Sequence, residues 1–293
     1  MLRSMYSGIS GMKSNQTKMD VVGNNVANVG TTAYKKTSTR FSDALYQSSI
    51  YASAPTGTVG GINPGKVGIG TKVSGIFTNM VQGSIQTTGR NTDLAIDGDG
   101  FFKIQISKDN YAYTRDGSFS LDANGNLVTS QGYYVMNNDL NNPQPIKIPK
   151  EVDVTTTDGN GATSTETKRV LSFNISTDGS ISYLLEDGTK YPLTDETGAV
   201  IAGTQQTLGL VVFKNPEGLE SQGGNLYKAS ANSGEPIASS VMGSINQGAI
   251  EMSNVDLSEE FTEMIVTTRA FQAASKVITT SDELLQEIVN LKR

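Results

Sequence analysis

Residues 255–293 read VDLSEEFTEMIVTTRAFQAASKVITTSDELLQEIVNLKR. Apolar side chains recur along this stretch at intervals of three and four, which keeps them on one stripe of a helix. Asp256 followed by Glu259 indicates an N-cap, and acidic residues suit the positive start of a helix. The stretch therefore predicts a long amphipathic helix at the C-terminal end of the chain.

The first thirty residues, MLRSMYSGISGMKSNQTKMDVVGNNVANVG, repeat the pattern. Glycine and asparagine residues between positions 23 and 30 predict the end of this first helix. The stripes of the two helices give a predicted self-assembly seam of Leu2, Met5, Ile9, Met12, Met19, Val26, Leu257, Phe261, Met264, Phe271, Ile278, Leu285 and Val289. Because isolated helices are marginal in water, we expect the two ends to pair with each other and with other copies, and to be poorly ordered in a lone monomer.

The charges of the two ends favour this pairing. Residues 1–40 carry six basic residues and one acidic residue, a net charge of +5. Residues 251–293 carry four basic and eight acidic residues, a net charge of −4. Opposite signs favour contact between the ends, although each exposed ion pair contributes little.

Composition excludes several classes of function. The 293 residues include no cysteine, histidine or tryptophan, so disulfides, thiolate chemistry and the commonest general base and metal ligand are missing. The net charge of −6 argues against nucleic acid as a partner. No apolar run is long enough to span a membrane, and the N-terminal stretch lacks the apolar block of a signal peptide. We predict no catalytic, cofactor or metal site and no enzyme.

The middle of the chain shows a β pattern. Asp116-Gly117, Asn124-Gly125 and Asp178-Gly179 each stand between short apolar alternations and predict hairpin turns. Residues 41–50 suggest either a short helix or an extended arm, and 208–213 (LGLVVF) suggest a buried strand.

These patterns predict an α+β multi-domain protein with paired N- and C-terminal helices in a coiled-coil-like bundle and an antiparallel all-β middle region. The predicted parts are a terminal helical domain of 1–29 with 251–293, and an extended connector over 30–75. A β-rich domain comprises 76–149 with 206–250, and residues 150–205 form a polar β insertion or small outer lobe.

Two short motifs resemble ligand sites but do not meet their requirements. Residues 60–67 (GGINPGKV) approach a phosphate-binding loop, but Val67 stands where Ser or Thr would hold magnesium. Residues 97–100 (DGDG) are similar to part of a calcium loop, but the first and last ligand positions fall on Ala95 and Ile106. We interpret both as turns.

Several stretches resemble the axial proteins of the bacterial flagellum. They are 24–35 (NNVANVGTTAYK), 94–102 (LAIDGDGFF), 113–119 (YTRDGSF) and 248–257 (GAIEMSNVDL), together with the C-terminal helix. The signature residues that carry the resemblance are Asn24, Asn25, Asn28, Asp97, Gly98, Gly100, Phe101, Ser253, Asn254 and Val255. The similarity covers both ends and the first β region, and residues 150–205 carry no recognised signature.

Within that family the chain is most similar to the hook protein. The resemblance implies a hook subunit that polymerises into a flexible tube, a universal joint that carries torque from motor and rod to filament. It implies export through the flagellar type III apparatus without a cleaved signal peptide, and a place in the extracellular hook. Expected partners are further copies of the chain, the rod, the hook cap and the hook–filament junction proteins.

Two alternatives stay open. The distal rod protein belongs to the same family, although we expect a Tyr-Glu pair near 271–272 there, where this chain has Phe271 and Gln272. A more remote alternative is a secreted β-rich enzyme or carbohydrate-binding module, which predicts a stable monomer with ordered ends.

Overall fold

A computed structural model describes residues 2–55, 60–108, 110–137, 143–157, 163–191, 206–237 and 243–291. The chain forms two compact units. The terminal unit contains Met1–Val29, Lys35–Asn79 and Val255–Arg293, and the β unit contains Gly30–Tyr34 and Met80–Asn254. Both ends of the chain therefore belong to one unit.

Two long helices form most of the terminal unit, α1 at Leu2–Ala27 and α2 at Leu257–Leu291. Asn25 near the end of α1 contacts Glu260 near the start of α2, and Ser4 contacts Ser281. The helices are therefore antiparallel neighbours, which confirms the predicted pairing of the two ends.

Side chains fix the ends of both helices. The backbone N–H groups of Ser258 and Glu259 donate to Asp256 Oδ1 at 2.8 and 3.4 Å, so Asp256 is the N-cap of α2, as predicted. At the end of α1, Asn28 Nδ2 donates to the Asn24 carbonyl at 2.9 Å. The Asn28 backbone N–H donates to the same carbonyl at 3.1 Å, so Asn28 closes the last turn of α1.

Two antiparallel strand pairs follow α1. They are β1 (Thr37–Asp43) with β4 (Thr71–Thr78), and β2 (Tyr46–Ile50) with β3 (Gly65–Gly68). The short helix considered for residues 41–50 does not form, because this Ser/Thr-rich stretch satisfies its backbone groups by cross-strand pairing. The start of β4 lies against α1, where the Thr71 N–H donates to Ser10 Oγ at 3.3 Å. Residues 35–79 thus group with the two helices, and the predicted connector boundaries at 30 and 75 stay a prediction.

The main sheet of the β unit has eight strands, and each of its pairings is antiparallel. Its strands are β7 (Phe101–Ser107), β8 (Asn110–Thr114), β9 (Ser120–Leu121), β10 (Leu127–Val128), β11 (Tyr134–Val135), β16 (Leu210–Val211), β17 (Glu220–Gly223) and β18 (Leu226–Lys228). They lie in the order β17-β18-β8-β7-β11-β10-β9, and β16 pairs with β7.

Three smaller sheets complete the β unit. Strands β12 (Glu151–Thr157), β13 (Thr163–Ile175), β14 (Ile181–Leu185) and β15 (Lys190–Tyr191) pair in that order. The strand pair β5 (Ile85–Thr87) with β20 (Ala249–Glu251) and the pair β6 (Leu94–Asp97) with β19 (Ser244–Gln247) join sequence-distant segments. A short 3-10 helix covers Pro216–Gly218. Whether 150–205 forms a separate lobe stays a prediction.

The turn predictions have mixed outcomes. Gly125 and Gly179 adopt φ values of 82° and 81° in the turns between β9 and β10 and between β13 and β14, so these two hairpins are confirmed. The hairpin predicted at Asp116-Gly117 is wrong, because β8 and β9 are not neighbours. Gly117 instead packs against the backbone of Leu94, and a Cβ there would lie 1.6 Å from the Leu94 carbonyl oxygen.

The apolar core covers both faces of β7. Phe102 and Ile104 lie in the larger cluster of buried side chains, which also contains Leu127. Phe101 lies in a second cluster with Phe213 and other aromatic side chains. Because successive side chains of a strand point to opposite faces, the consecutive phenylalanines place one ring in each cluster.

Candidate assembly interface

The two terminal helices meet along a line of small residues. A Cβ added to Gly8 would lie 2.9 Å from Ile278 Cγ1 and 3.2 Å from the Ala274 carbonyl oxygen. A Cβ added to Gly11 would lie 3.7 Å from Ala274 Cβ. The absence of a side chain at Gly8 therefore lets α1 approach Ile278 and the backbone of α2 closely.

Polar side chains join the helices at either end of this line. Ser4 Oγ and Ser281 Oγ lie 3.3 Å apart. At the other end, Asn25 Nδ2 donates to Glu260 Oε2 at 3.1 Å and to the Thr37 carbonyl at 2.8 Å. Asn25 Oδ1 accepts the Thr37 N–H at 3.0 Å, so one buried amide ties α1, α2 and the start of β1 together.

Two ion pairs confirm the expected attraction between the oppositely charged ends. Lys18 Nζ lies 3.1 Å from Glu263 Oε2, and Lys36 Nζ lies 2.7 Å from Glu259 Oε2. The hydrogen bond to Glu259 raises the pKa of Lys36, against the opposing effect of partial burial. These pairs are partly exposed, so each contributes little to stability.

The structure describes the side chains of all but one of the predicted seam residues. One of them, Ile278, lies against Gly8. Met5, Met12, Met19, Val26, Met264, Phe271 and Leu285 are half-buried, Ile9, Leu257, Phe261 and Val289 are exposed, and the Leu2 side chain lies outside the described residues. Their role in self-assembly stays a prediction. The small residues Ser4, Gly8 and Gly11, which lie at the contact, recur at spacings of four and three. An analysis of apolar residues alone does not detect this pattern.

The paired helices leave much apolar surface uncovered. The large apolar side chains exposed on them are Tyr6, Ile9, Leu257, Phe261, Ile265, Val266, Val277, Leu284, Ile288, Val289 and Leu291. The β2–β3 pair adds an exposed ribbon that includes Tyr46 and Ile50. Extended apolar surface of this kind marks an interaction site, so the terminal unit has the character of a component of a larger assembly.

The signature residues Asp97, Gly98 and Gly100 form a tight turn between β6 and β7, which confirms the interpretation of this motif as a turn. Gly98 and Gly100 have φ values of 108° and 151°, which only glycine adopts readily. Gln82 closes the turn, since its Nε2 donates to Asp97 Oδ1 at 3.2 Å and its Oε1 accepts the Gly98 N–H at 3.0 Å. The signature residue Phe101 follows at the start of β7, in the aromatic cluster.

A buried ion pair that sequence reasoning missed lies beside this turn. Arg115 Nη1 is 3.4 Å from Glu251 Oε2, and the two side chains are 3% and 0% exposed. Arg115 Nη2 also donates to the Gly98 carbonyl at 2.7 Å, and Glu251 Oε1 accepts the Gly83 N–H at 2.8 Å. The only signal in the sequence is a single acid within the apolar stretch GAIEM.

The last signature residues tie three segments of the β unit together. Asn254 Nδ2 donates to the Val81 carbonyl at 2.9 Å, and the Asn254 N–H donates to the Tyr34 carbonyl at 3.3 Å. Its neighbours Ser253 and Val255 are half-buried. Each of the segments that contain Tyr34, Val81 and Asn254 is joined along the chain to the terminal unit. Asn254 binds backbone carbonyls of the other two segments, so its role is to position the backbone.

Neither described helix has a segment with the length and hydropathy that crossing a bilayer requires. Within the described ranges, no group of three or more acidic, cysteine or histidine side chains is arranged to hold a metal ion.

Three family descriptions match separate parts of the chain. Residues 5–35 match the flagella basal body rod protein family, and residues 95–183 match the flagellar hook protein FlgE/F/G D1 domain. Residues 246–291 match the flagellar basal body rod FlgEFG protein C-terminal family.

Curated relatives match over the whole chain. The flagellar basal-body rod protein FlgG of Bacillus subtilis is 45% identical over 298 residues, with 100% of each chain covered. FlgG of Borreliella burgdorferi is 39% identical over 299 residues, again with 100% of each chain covered. The flagellar hook protein FlgE of Borreliella burgdorferi is 30% identical, and its alignment of 443 residues covers 100% of each chain.

A solved structure, the Helicobacter pylori flagellar hook protein FlgE2, overlaps 48% of this chain and 38% of its own chain at 15% identity. The TM-score of the two structures is 0.23.

Proposed function

The chain belongs to the flagellar rod and hook protein family and is a structural subunit of the bacterial flagellum, and we propose that it polymerises to form the distal rod. The observation that carries the choice of the rod is the 45% identity to a rod protein over the full length of both chains. The alignment to a hook relative spans 443 residues at 30% identity, so the hook relative has segments that this chain lacks.

The hook is the second candidate, and the sequence analysis preferred it. The observation in its favour is Phe271-Gln272, where we expect Tyr-Glu in a distal rod protein. Phe271 is half-buried on α2, and Gln272 accepts a hydrogen bond from Arg269 at 3.3 Å. The relatives favour the rod over the hook. In this proposal the polymer is therefore a stiff straight shaft and not a flexible joint.

The polymer forms by burial of the helix surface that one chain leaves exposed. The helix pairs of neighbouring copies form the wall of the tube in this proposal. A contact between two different patches that does not close into a ring generates such a helical polymer. The exposed apolar side chains on both helices support this arrangement, because burial of apolar surface contributes about 25 cal/mol per Å².

The strand pairs of residues 37–78 bridge neighbouring subunits in this proposal. Their exposed ribbon around Tyr46 and Ile50 offers apolar contact area away from the helices. A paired ribbon resists twisting better than a single extended chain, so these contacts carry torsional load. The subunit reaches the growing tip through the flagellar type III export channel and contacts further copies of itself, with rod and hook proteins at the two ends of the segment.

Complementation separates the two candidates. The gene is expressed in cells that lack the distal rod protein and, in parallel, in cells that lack the hook protein. Restoration of rod completion in the first strain is the expected result. Restoration of hooks in the second strain, with no effect in the first, would instead establish the hook assignment.

Sedimentation with limited proteolysis tests the remaining class, a secreted β-rich enzyme or sugar-binding module. An assembly subunit at low concentration should lose its two terminal helices to protease while the β unit resists. A monomer with protected ends at all concentrations, together with saturable ligand binding, would favour the other class.

A further inference from the structure

Helix α2 extends beyond the start of α1. Near the start of α1, Ser4 lies level with Ser281 of α2. At about 1.5 Å per residue, the ten residues of α2 after Ser281 reach about 12 Å further than the two described residues of α1 before Ser4. We call residues 282–291 the overhang.

The overhang is both apolar and acidic. Leu284, Ile288 and Leu291 recur at helical spacing and are 53%, 49% and 86% exposed. Glu283 and Glu287 each precede one of these apolar residues, and no basic residue occurs between positions 282 and 291. The basic residues Lys292 and Arg293 lie outside the described residues. The overhang therefore presents an apolar line with a negative edge.

The exposed face of α1 complements that surface. Tyr6 and Ile9 are 64% and 37% exposed, and they lie between Arg3 and Lys13, which are also exposed. Neither basic residue forms a salt bridge among the described residues, and the first acidic residue of the chain is Asp20. This face is an apolar patch with a positive edge, and α2 of the same chain leaves it uncovered.

From this complementarity we propose that the overhang of one subunit binds the Arg3–Lys13 face of α1 in the next copy. The inference deepens the proposed self-assembly and depends on it. The exposed leucines and isoleucine cover Tyr6 and Ile9, and Glu283 and Glu287 lie near Arg3 and Lys13. The patch and its occupant are different surfaces of one chain, so the contact repeats from copy to copy without closing.

Charge reversal tests the electrostatic half of the contact. Glu283→Lys with Glu287→Lys, or Arg3→Glu with Lys13→Glu, should each raise the critical concentration for polymerisation by about tenfold. The four changes combined should restore it to within about threefold of the wild-type value. Glu220→Lys with Glu235→Lys, at exposed positions of the β unit, changes the net charge equally and serves as the control. A control effect as large as that of the overhang variant, or a combined variant with no recovery, would overturn the proposal.

Cysteine pairs test the contact directly, because the chain has no cysteine of its own. Tyr6→Cys with Ile288→Cys should give a ladder of covalent oligomers on oxidation under polymerising conditions. Within one chain these positions are about 13 Å apart along the helix axis, beyond the roughly 7 Å that a disulfide allows. Tyr6→Cys with Ile265→Cys, which is 62% exposed at the other end of α2, is the matched control.

The possible results distinguish failure of this contact from failure of the proposed self-assembly. Tubes of wild-type protein with a ladder specific to the Tyr6–Ile288 pair support the inference. Tubes without that ladder, or with an equal ladder from the control pair, reject this contact and leave self-assembly standing. Failure of the wild-type protein to polymerise at any concentration rejects both.

Discussion

Asn25 Nδ2 donates a hydrogen bond to Glu260 Oε2 at 3.1 Å and so joins two residues that lie 235 positions apart. The two residues are 1% and 4% exposed. A buried carboxylate without a donor is costly, so this bond makes the end of α1 and the start of α2 depend on each other. The signature residue Asn25 thereby links the N-terminal and C-terminal ends of the chain.

Replacement of Asn25 should loosen the helix pair. Asn25→Ala removes the donor to Glu260 and the bonds to the Thr37 backbone, so we expect a loss of about 2–3 kcal/mol. Asn25→Asp should lose at least as much at neutral pH, because two carboxylates then face each other. Denaturant unfolding followed by helical circular dichroism measures both. Asn290→Ala, at an exposed position of α2, is the control, and an equal loss there would show that the contact is not special.

The close approach at Gly8 should not tolerate even a methyl group. Gly8→Ala places a Cβ 2.9 Å from Ile278 Cγ1, so the Ile278 side chain or the helix backbones must shift, and we expect a loss of about 1–3 kcal/mol. Gly23→Ala meets nothing within 4 Å in the same helix and should gain about 0.5–1 kcal/mol from helix propensity. Thermal unfolding of the two variants side by side checks this difference, and equal shifts would contradict the geometry.

The Arg115–Glu251 ion pair should be essential to the β unit. Glu251→Gln preserves the shape but leaves the buried Arg115 charge without an opposite charge beside it, so we expect a loss of about 3–5 kcal/mol. The double variant Arg115→Leu with Glu251→Leu should lose less than the single variant, because no uncompensated charge remains. Lys168→Met breaks an exposed pair with Asp187 and should leave stability nearly unchanged. Urea unfolding followed by tyrosine absorbance distinguishes these three expectations.

Buried tyrosines should make the β unit sensitive to alkali. Burial raises the pKa of Tyr183 and of Tyr227 from the ordinary value of 10.0 to about 12. Between pH 10 and 12 the unfolded chain therefore releases protons that the folded chain retains. The free energy of unfolding is therefore unaffected by these tyrosines below pH 10. Above pH 10 it falls by up to about 1.4 kcal/mol per pH unit for each tyrosine. The double variant Tyr183→Phe with Tyr227→Phe should show a flatter decline over this range, and an unchanged slope would show that these phenols do not contribute.

The features that the sequence predicted correctly depend on local physics. The N-cap at Asp256 requires only residues within one helical turn, and the turn at Gly125 requires only a positive φ at one position. The charge asymmetry of the two ends predicted their contact, because opposite charges attract whatever the register, and the ion pair of Lys18 with Glu263 is one such contact.

The features that it missed depend on which surface meets which partner. A helix can carry both an apolar stripe and a line of small residues, and periodicity alone does not show which line meets the other helix. Here Gly8 lies in the contact between the helices, while Met5 is half-buried and Ile9 is exposed. The failure at Gly117 has the same origin, since its close neighbour Leu94 is distant in sequence.

Electron microscopy of the purified protein at high concentration is the most direct test of the central claim, that the apolar helix surface of one chain is buried by further copies. We predict tubular polymers of the full chain, and none from a chain truncated before Phe261, whose β unit should still fold. Full-length protein that stays monomeric at every concentration, with both terminal helices already protected from protease, would contradict the account.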